Sequence, residues 1–292
     1  MKNKIQGISS LLMATLIWGS AFIAQSVGMD LVGPFTFQSF RCFLAVVFLV
    51  PLSLILDKGD LRKFKNKWLD RKLWKGGIIC GIALFAAASL QQVGLVYTDA
   101  GKAGFITAMY IVLVPILGLF LKQKPPKSAF ISVILAVIGL YLLSCLGVSE
   151  INKGDLLVLG CALAYAVQIT CVDRVAGDLD GLRLNCVQAF VVMVLSIPCM
   201  FFTEQVVAEN VIACWLPLCY AGVLSMGVAY TLQIVGQKSL EPTTASLIMS
   251  LESVVAALCG WLILKETMTS TELAGCGLVF AAVVISQLPE KK

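Results

Sequence analysis

SLQQVGLVYTDAGKAGFITAMYIVLVPILGLFL, residues 89–121, holds two apolar segments that carry glutamines and meet at a short turn around Asp99 and Gly101. The stretch occurs twice. At a shift of 142 residues Leu90, Gln91, Val93 and Gly94 fall on Leu232, Gln233, Val235 and Gly236, and Ala103, Ile106, Val112 and Gly118 fall on Ala245, Ile248, Val254 and Gly260. Self-similarity at a fixed period marks a duplicated structural unit and constrains the whole fold.

Working outward, the composition is that of a membrane protein: 59% of residues are apolar, 13% are charged, and the mean hydropathy is +0.92. A soluble domain of this length needs far more charge to cover its surface, whereas a chain bathed in lipid is apolar outside as well. Windows of about twenty apolar residues give ten expected spans: 5–27, 34–56, 75–97, 100–121, 128–147, 154–174, 181–202, 211–237, 241–264 and 270–288. They are expected to be helices, because backbone inside a bilayer must satisfy its own hydrogen bonds, and the alternation of a β-barrel is missing. The first span, behind Lys2 and Lys4, is too long for a signal-peptide core and reads as a retained helix.

Lysine and arginine positions set the expected orientation. With the N-terminus inside, 18 of the 22 basic residues fall on the cytoplasmic side, eight of them between Lys58 and Lys75. Lys102, Lys153 and Lys265 fall outside, and Arg41 lies within a helix. Both termini are therefore expected in the cytoplasm. The net charge of +5 reports this topology, so no nucleic-acid partner is implied. The connection from Asp57 to Lys75 reads as a basic linker facing lipid headgroups.

The repeat reaches further. At a shift of 147, Gly7 falls on Gly154, Leu16 on Leu163, Phe43 on Phe190, Val47 on Val194 and Pro51 on Pro198. Two units result, 1–147 and 154–288, of five helices each. Five is odd, so the second unit enters the membrane from the opposite face. Inverted repeats of this kind accompany alternating access, with a site near the midplane between the copies.

YTDAGKAGFITAMYIVLVPILGLFL at 97–121, its echo SLEPTTASLIMSLESVVAALCGWLILKE at 239–266, ATLIWGSAFIA at 14–24 and FQSFRCFLAVVFLVP at 37–51 resemble the EamA family of the drug/metabolite transporter superfamily. The resemblance spans nearly the whole chain. It implies a ten-helix exporter with a basket-like central cavity and small metabolites, amino acids among them, as cargo. Where the family often has proline, this chain has Ile111 after Tyr110 and Ser253 after Glu252. Flexing is then expected at Pro115, Gly118 and Gly260.

Polar side chains inside spans mark candidate cavity positions, since an unpaired polar group facing lipid is costly. Mapped through the repeat they pair: Trp18 with Tyr165, Gln38 with Asn185, Arg41 with Gln188, Gln91 with Gln233, and Tyr110 with Glu252. Together with Gln168, which shares a helical face with Tyr165, these residues other than Asn185 form the expected substrate-binding set: Trp18, Gln38, Arg41, Gln91, Tyr110, Tyr165, Gln168, Gln188, Gln233 and Glu252. Glu252 sits near the bilayer centre, where it binds a substrate amine, carries a proton, or bonds neighbouring helices. Arg41 either grips a substrate carboxylate bidentately or snorkels to headgroups.

No histidine, phosphate loop or Walker lysine occurs, so neither a catalytic triad of the usual form nor ATP-driven pumping is expected. Eleven cysteines without a Cys-x-x-Cys pair, among them Cys42, Cys80, Cys145, Cys161, Cys171, Cys259 and Cys276, read as small apolar packing residues. Asp173, Asp178 and Asp180 read as a solvated loop in preference to a cation site. The expectation is an all-α multi-pass secondary transporter of the plasma membrane, without cofactor, coupled to protons or working by facilitated diffusion. An intramembrane enzyme acting on a lipid-linked substrate is the alternative.

Overall fold

The computed structural model describes residues 2–98, 100–122, 127–144, 152–263 and 269–287. Asp99, Cys145, Lys124, Lys265, Lys291 and Lys292, used in the topology, turn and cysteine readings, lie outside the described residues. The elements are α1 (Lys2–Met29), α2 (Pro34–Leu56), α3 (Leu61–Trp68), α4 (Arg71–Gly94), α5 (Ala100–Ala108), α6 (Tyr110–Phe120), α7 (Lys127–Ser144), α8 (Lys153–Ala176), α9 (Gly181–Thr203), α10 (Ala208–Ala213), α11 (Trp215–Cys219), a π-helical stretch Tyr220–Ala229, α12 (Tyr230–Gln237), α13 (Pro242–Met249), α14 (Leu251–Ile263) and α15 (Ser270–Gln287). No strand occurs among the described residues. Among the described residues nine stretches are long and apolar enough to cross a membrane, and α7 adds a shorter apolar helix at the place of the fifth expected span.

Helix starts are set by local chemistry. Asp60, Asp70 and Asp180 accept from backbone N–H groups of α3, α4 and α9, and Asn152 forms a capping box with Asp155 on α8. Proline occupies the first turn of α2 and α13, where its missing N–H costs nothing. Large apolar side chains such as Phe120 and Phe202 stand fully outward, as lipid-facing positions should.

Two helices are broken at matching places. The chain turns at Met109, one residue before Tyr110, and at Ser250, two before Glu252. Val112 N–H reaches Met109 O at 3.0 Å and Ser253 N–H reaches Ser250 O at 3.2 Å, tight three-residue closures in place of the α-helical ladder. The Ser250 hydroxyl also donates back to Leu247 O at 2.8 Å, a bond that bends helices. Pro115 and Gly118, where flexing is expected, lie inside α6 and Gly260 lies inside α14, whereas the breaks are at Met109 and Ser250.

The expected basic linker contains a helix of its own. α3 turns Phe64 and Trp68 toward the Arg183 guanidinium, 5.9 Å from each ring, and Lys67 bonds Asp57 at 2.8 Å. Asp180 caps α9 and bonds Arg183 at 2.6 Å, so it is neither a free loop carboxylate nor part of a metal group.

Helices pack mostly across the two sequence repeats. α2 lies along α9, α4 along α8 and α9, α1 along the 220–237 helix and α14, and α7 along α15. The largest buried apolar cluster joins α6, α13, α14 and α15 to α8.

Candidate functional site

A cavity with about 490 Å³ of free space, its open mouth included, lies at the centre of this packing, lined by α1, α2, α4, α5–α6, α8, the 220–237 helix and α13–α14. Residues beside both helix breaks line it: Tyr110, Met249 and Glu252. Tyr110 and Glu252 sit in the first turn after Met109 and Ser250, and the Tyr110 hydroxyl donates to Glu252 Oε1 at 3.1 Å. Their positions differ by 142 residues, so this bond joins two sites that the repeat exchanges and lies on the pseudo-two-fold axis. Broken helices placing polar groups at a midplane site are the transporter counterpart of helix-terminus binding sites.

Ten of the fourteen lining residues fall into repeat pairs. Trp18 and Tyr165, Gln91 and Gln233, and Tyr110 and Glu252 all line it, as expected from the sequence. So do two further exchanged pairs, Phe22 with Ile169 at a shift of 147 and Thr107 with Met249 at 142. Four lining residues lack a partner in the wall: Gln25, Arg41, Ser225 and Tyr230. Their repeat counterparts are Val172, Gln188, Ala83 and Ala88.

Local bonds fix these side chains. Gln91 donates to Thr107 Oγ1 at 3.1 Å and accepts from the Tyr165 hydroxyl at 3.4 Å, and the Tyr165 and Tyr230 hydroxyls are 3.1 Å apart. Trp18 meets Tyr230 edge-on at 4.9 Å between ring centroids. Arg41, buried, donates to Gln25 Oε1 at 2.8 Å and reaches Gln38 Oε1 at 3.5 Å. It turns into the protein, so the snorkelling alternative falls. Neither Arg41 nor Glu252 is in an ion pair among the described residues. Three buried lining atoms have no hydrogen-bond partner: Trp18 Nε1, Arg41 Nε and Gln233 Oε1.

Three expected lining residues stand behind the wall instead. Gln38 donates to Ser89 and Ser196, both at 3.0 Å. Gln168 and Gln188 form a chain of side-chain amides that starts at Gln233. Gln233 donates to Gln168 at 3.1 Å, Gln168 to Gln188 at 3.2 Å, and Gln188 to Asn185 at 3.0 Å. Asn185 donates in turn to Met226 O at 2.8 Å and Gly227 O at 2.9 Å, carbonyls in the π-helical stretch. Each amide in this chain satisfies the next, which is how buried polar groups avoid a penalty of about 1–3 kcal/mol each. Gln25, Thr107, Ser225 and Tyr230 were missed in the sequence, and only their polarity within a span could have flagged them.

The model of the EamA-like transporter family matches residues 5–145 and again 152–287. The chain belongs to the EamA-like transporter family. An uncharacterized transporter of Archaeoglobus fulgidus is 35% identical over 95% of this chain and 84% of its own length. The threonine/homoserine exporter RhtA of Escherichia coli is 28% identical over 94% of this chain and 89% of its own. One solved crystal structure superposes with a TM-score of 0.73 at 16% identity, covering 94% of this chain and 96% of the other. That likeness is one of fold. As an EamA-like protein the chain is a multi-pass cell-membrane transporter rather than an enzyme, and the central cavity is its candidate cargo site.

Proposed function

We propose that this EamA-like protein is a secondary transporter that exports a small zwitterion of the amino-acid class by alternating access. Arg41 holds the carboxylate and Glu252 the ammonium. The observation that carries the reading is one cavity lined by a guanidinium and a carboxyl group that are not paired with each other. A buried charge without an opposite charge is costly, and a cargo carrying both signs completes both ends at once. The unpartnered Trp18 Nε1, Arg41 Nε and Gln233 Oε1 give such a cargo further polar contacts. The printed name of the RhtA relative, a threonine/homoserine exporter, supports the same cargo class. The mechanism is supported by the two-fold pairing of the cavity wall and by the paired helix breaks beside Tyr110 and Glu252. On the return leg Glu252, relieved of the ammonium, is the cavity carboxyl that a coupling proton would occupy.

Counterflow in proteoliposomes, with a panel of amino acids and of their deaminated and decarboxylated analogues, tests the proposal. Exchange is expected for the amino acids. Exchange of uncharged or purely cationic metabolites with no exchange of any amino acid would overturn it.

A further inference from the structure

Close backbone crossings divide the helices into bodies that ignore the sequence halves. A Cβ added at Gly7 would lie 3.1 Å from Gly236 O, and one at Gly236 would lie 3.0 Å from Gly7 O. Gly154 and Gly94 make the same crossing, at 2.8 and 3.2 Å. Gly7 and Gly154 are 147 residues apart and Gly94 and Gly236 are 142 apart, so the second crossing is the image of the first. Only glycine allows helix axes this near. α14 joins α1 at Gly19, where a Cβ would lie 2.7 Å from Glu252 O. One body is therefore α1 with the 220–237 helix, α13 and α14. Its image is α8 with α4, α5 and α6.

α2 and α9 stand between the bodies, α2 against the π-helical stretch and α9 against α4, and run antiparallel along each other. Both ends of this pair are fastened. At one end the Asp57 carboxylate accepts from Arg183 Nη2 and from Lys67 Nζ. At the other the Glu204 carboxylate accepts from Phe35 N–H at 2.7 Å, Thr36 N–H at 2.8 Å and Thr36 Oγ1–H at 2.7 Å. Asp57 and Glu204 are 147 residues apart, and so are Thr36 and Arg183. The same clamp is used twice: a carboxylate just past the end of one helix grips the start of the other. Both grips are made in one structure, and α2 and α9 stay in contact between them.

We propose that α2 and α9 form a pillar that stays clamped at both ends through the transport cycle, and that the two mixed bodies rock on it. Asp57, Arg183 and Glu204 are then positioning residues for transport. The proposal rests on the alternating-access reading above. A helix pair fastened at both faces can open at neither, so access to the cavity has to open between the bodies, across the contacts that α5 makes with α1 and α14 and that α6 makes with α13. One of these is the Ser253 hydroxyl donating to Gly104 O at 3.1 Å.

Cross-linking tests it in a background whose eleven native cysteines are replaced by alanine or serine. Thr36→Cys with Glu204→Cys, and Asp57→Cys with Arg183→Cys, are closed with a short bifunctional thiol reagent, both ends at once. Counterflow is expected to stay within about twofold of wild type, and above that of the reduced cysteine protein, because the link replaces the clamp. Gly104→Cys with Ser253→Cys joins the two bodies and is expected to cut exchange more than tenfold on oxidation. Loss of exchange on closing the pillar links, or full exchange with the bodies joined, would overturn the proposal. Spin labels at 35 and 202, which leave the Thr36 and Glu204 side chains in place, read the pillar separately from transport: one narrow distance with and without cargo is expected, and two distances would overturn it. Failure of the uncross-linked parent to exchange any solute would count against alternating access and leave the spin-label result to judge the pillar. Asp57→Asn alone should lower kcat with KM unchanged, a split that damage to the cavity would not give.

Discussion

Glu252→Gln separates a cargo-binding carboxyl from one that only ties helices together. The glutamine keeps an oxygen for the Tyr110 hydroxyl, now 3.1 Å from Glu252 Oε1, so the inter-helix bond survives while the charge is lost. A hydrogen bond to a charged group contributes about 1.5–3 kcal/mol, and each 1.4 kcal/mol is tenfold in affinity. The apparent KM for an amino acid should therefore rise by roughly 10- to 150-fold, while the same skeleton without its amino group should be transported as by wild type. Arg41→Gln should give the mirror result: a KM rise of similar size for the amino acid and none for the decarboxylated amine. Counterflow with reconstituted protein, matched for amount and for thermal unfolding, measures all four combinations. Equal losses for the amino acid and the deaminated analogue, within about threefold, would refute the assignment and leave Glu252 as a bond between α6 and α14.

The remaining predictions concern the scaffold. Gly94→Ala and Gly154→Ala should each lower Tm, because the new methyl would meet the facing carbonyl at 3.2 and 2.8 Å and overpacking of this kind costs about 1–3 kcal/mol; unchanged melting would refute the crossing. Asn185→Ala should destabilise by about 1–3 kcal/mol by stripping the amide from Met226 O and Gly227 O and unseating Gln188, visible as a lower Tm with cargo KM raised through Gln233. The Asp57 carboxyl is held below the usual carboxylate range, chiefly by its hydrogen bond from Lys67, with burial opposing and Arg183 assisting. Because the folded value is the lowered one, this stabilisation is present at neutral pH and is lost as pH falls below the ordinary value of about 3.9 and through the folded one. The Tm gap between wild type and Asp57→Asn should close over that acidic range, and a gap that widens would refute the clamp.

The hairpin of residues 89–121 carried much of the site because its duplication is exact in register. Gln91, Tyr110, Gln233 and Glu252 were readable as pairs, and all four line the cavity. Symmetry also set the limit of that reading. Tyr230 falls on Ala88 and Gln25 on Val172, so a search for shared polarity passes over both. Gln38, Gln168 and Gln188 are polar and inside spans, yet a buried amide is satisfied as well by another amide as by a cargo, and the sequence does not distinguish the two. Helix breaks without proline at Met109 and Ser250 were likewise hidden, because they rest on three-residue closures and a serine bond to the preceding turn.

The two charges are placed differently with respect to the two-fold, and this bears on how cargo survives the switch. Glu252 lies on the axis through its bond to Tyr110, where a rocking motion displaces groups least. Arg41 lies off the axis, on α2, and its counterpart Gln188 is turned away into the amide chain. With α2 as part of the pillar, Arg41 keeps its place while the bodies move, so the separation of the two charges changes little between the outward and inward states. A ligand shifts a conformational equilibrium only by its difference in affinity for the two states. A cargo held at both ends by nearly fixed groups shifts it little and is carried across without being dropped. The KM measured from the two sides of the membrane should therefore agree within about threefold, although the wall residues Gln25, Ser225 and Tyr230 are not repeated. Right-side-out and inside-out proteoliposomes, sorted by protease access to a terminal tag, make the measurement. A difference of more than about tenfold, about 1.4 kcal/mol, would show that one charge moves relative to the other and that α2 travels with a rocking body.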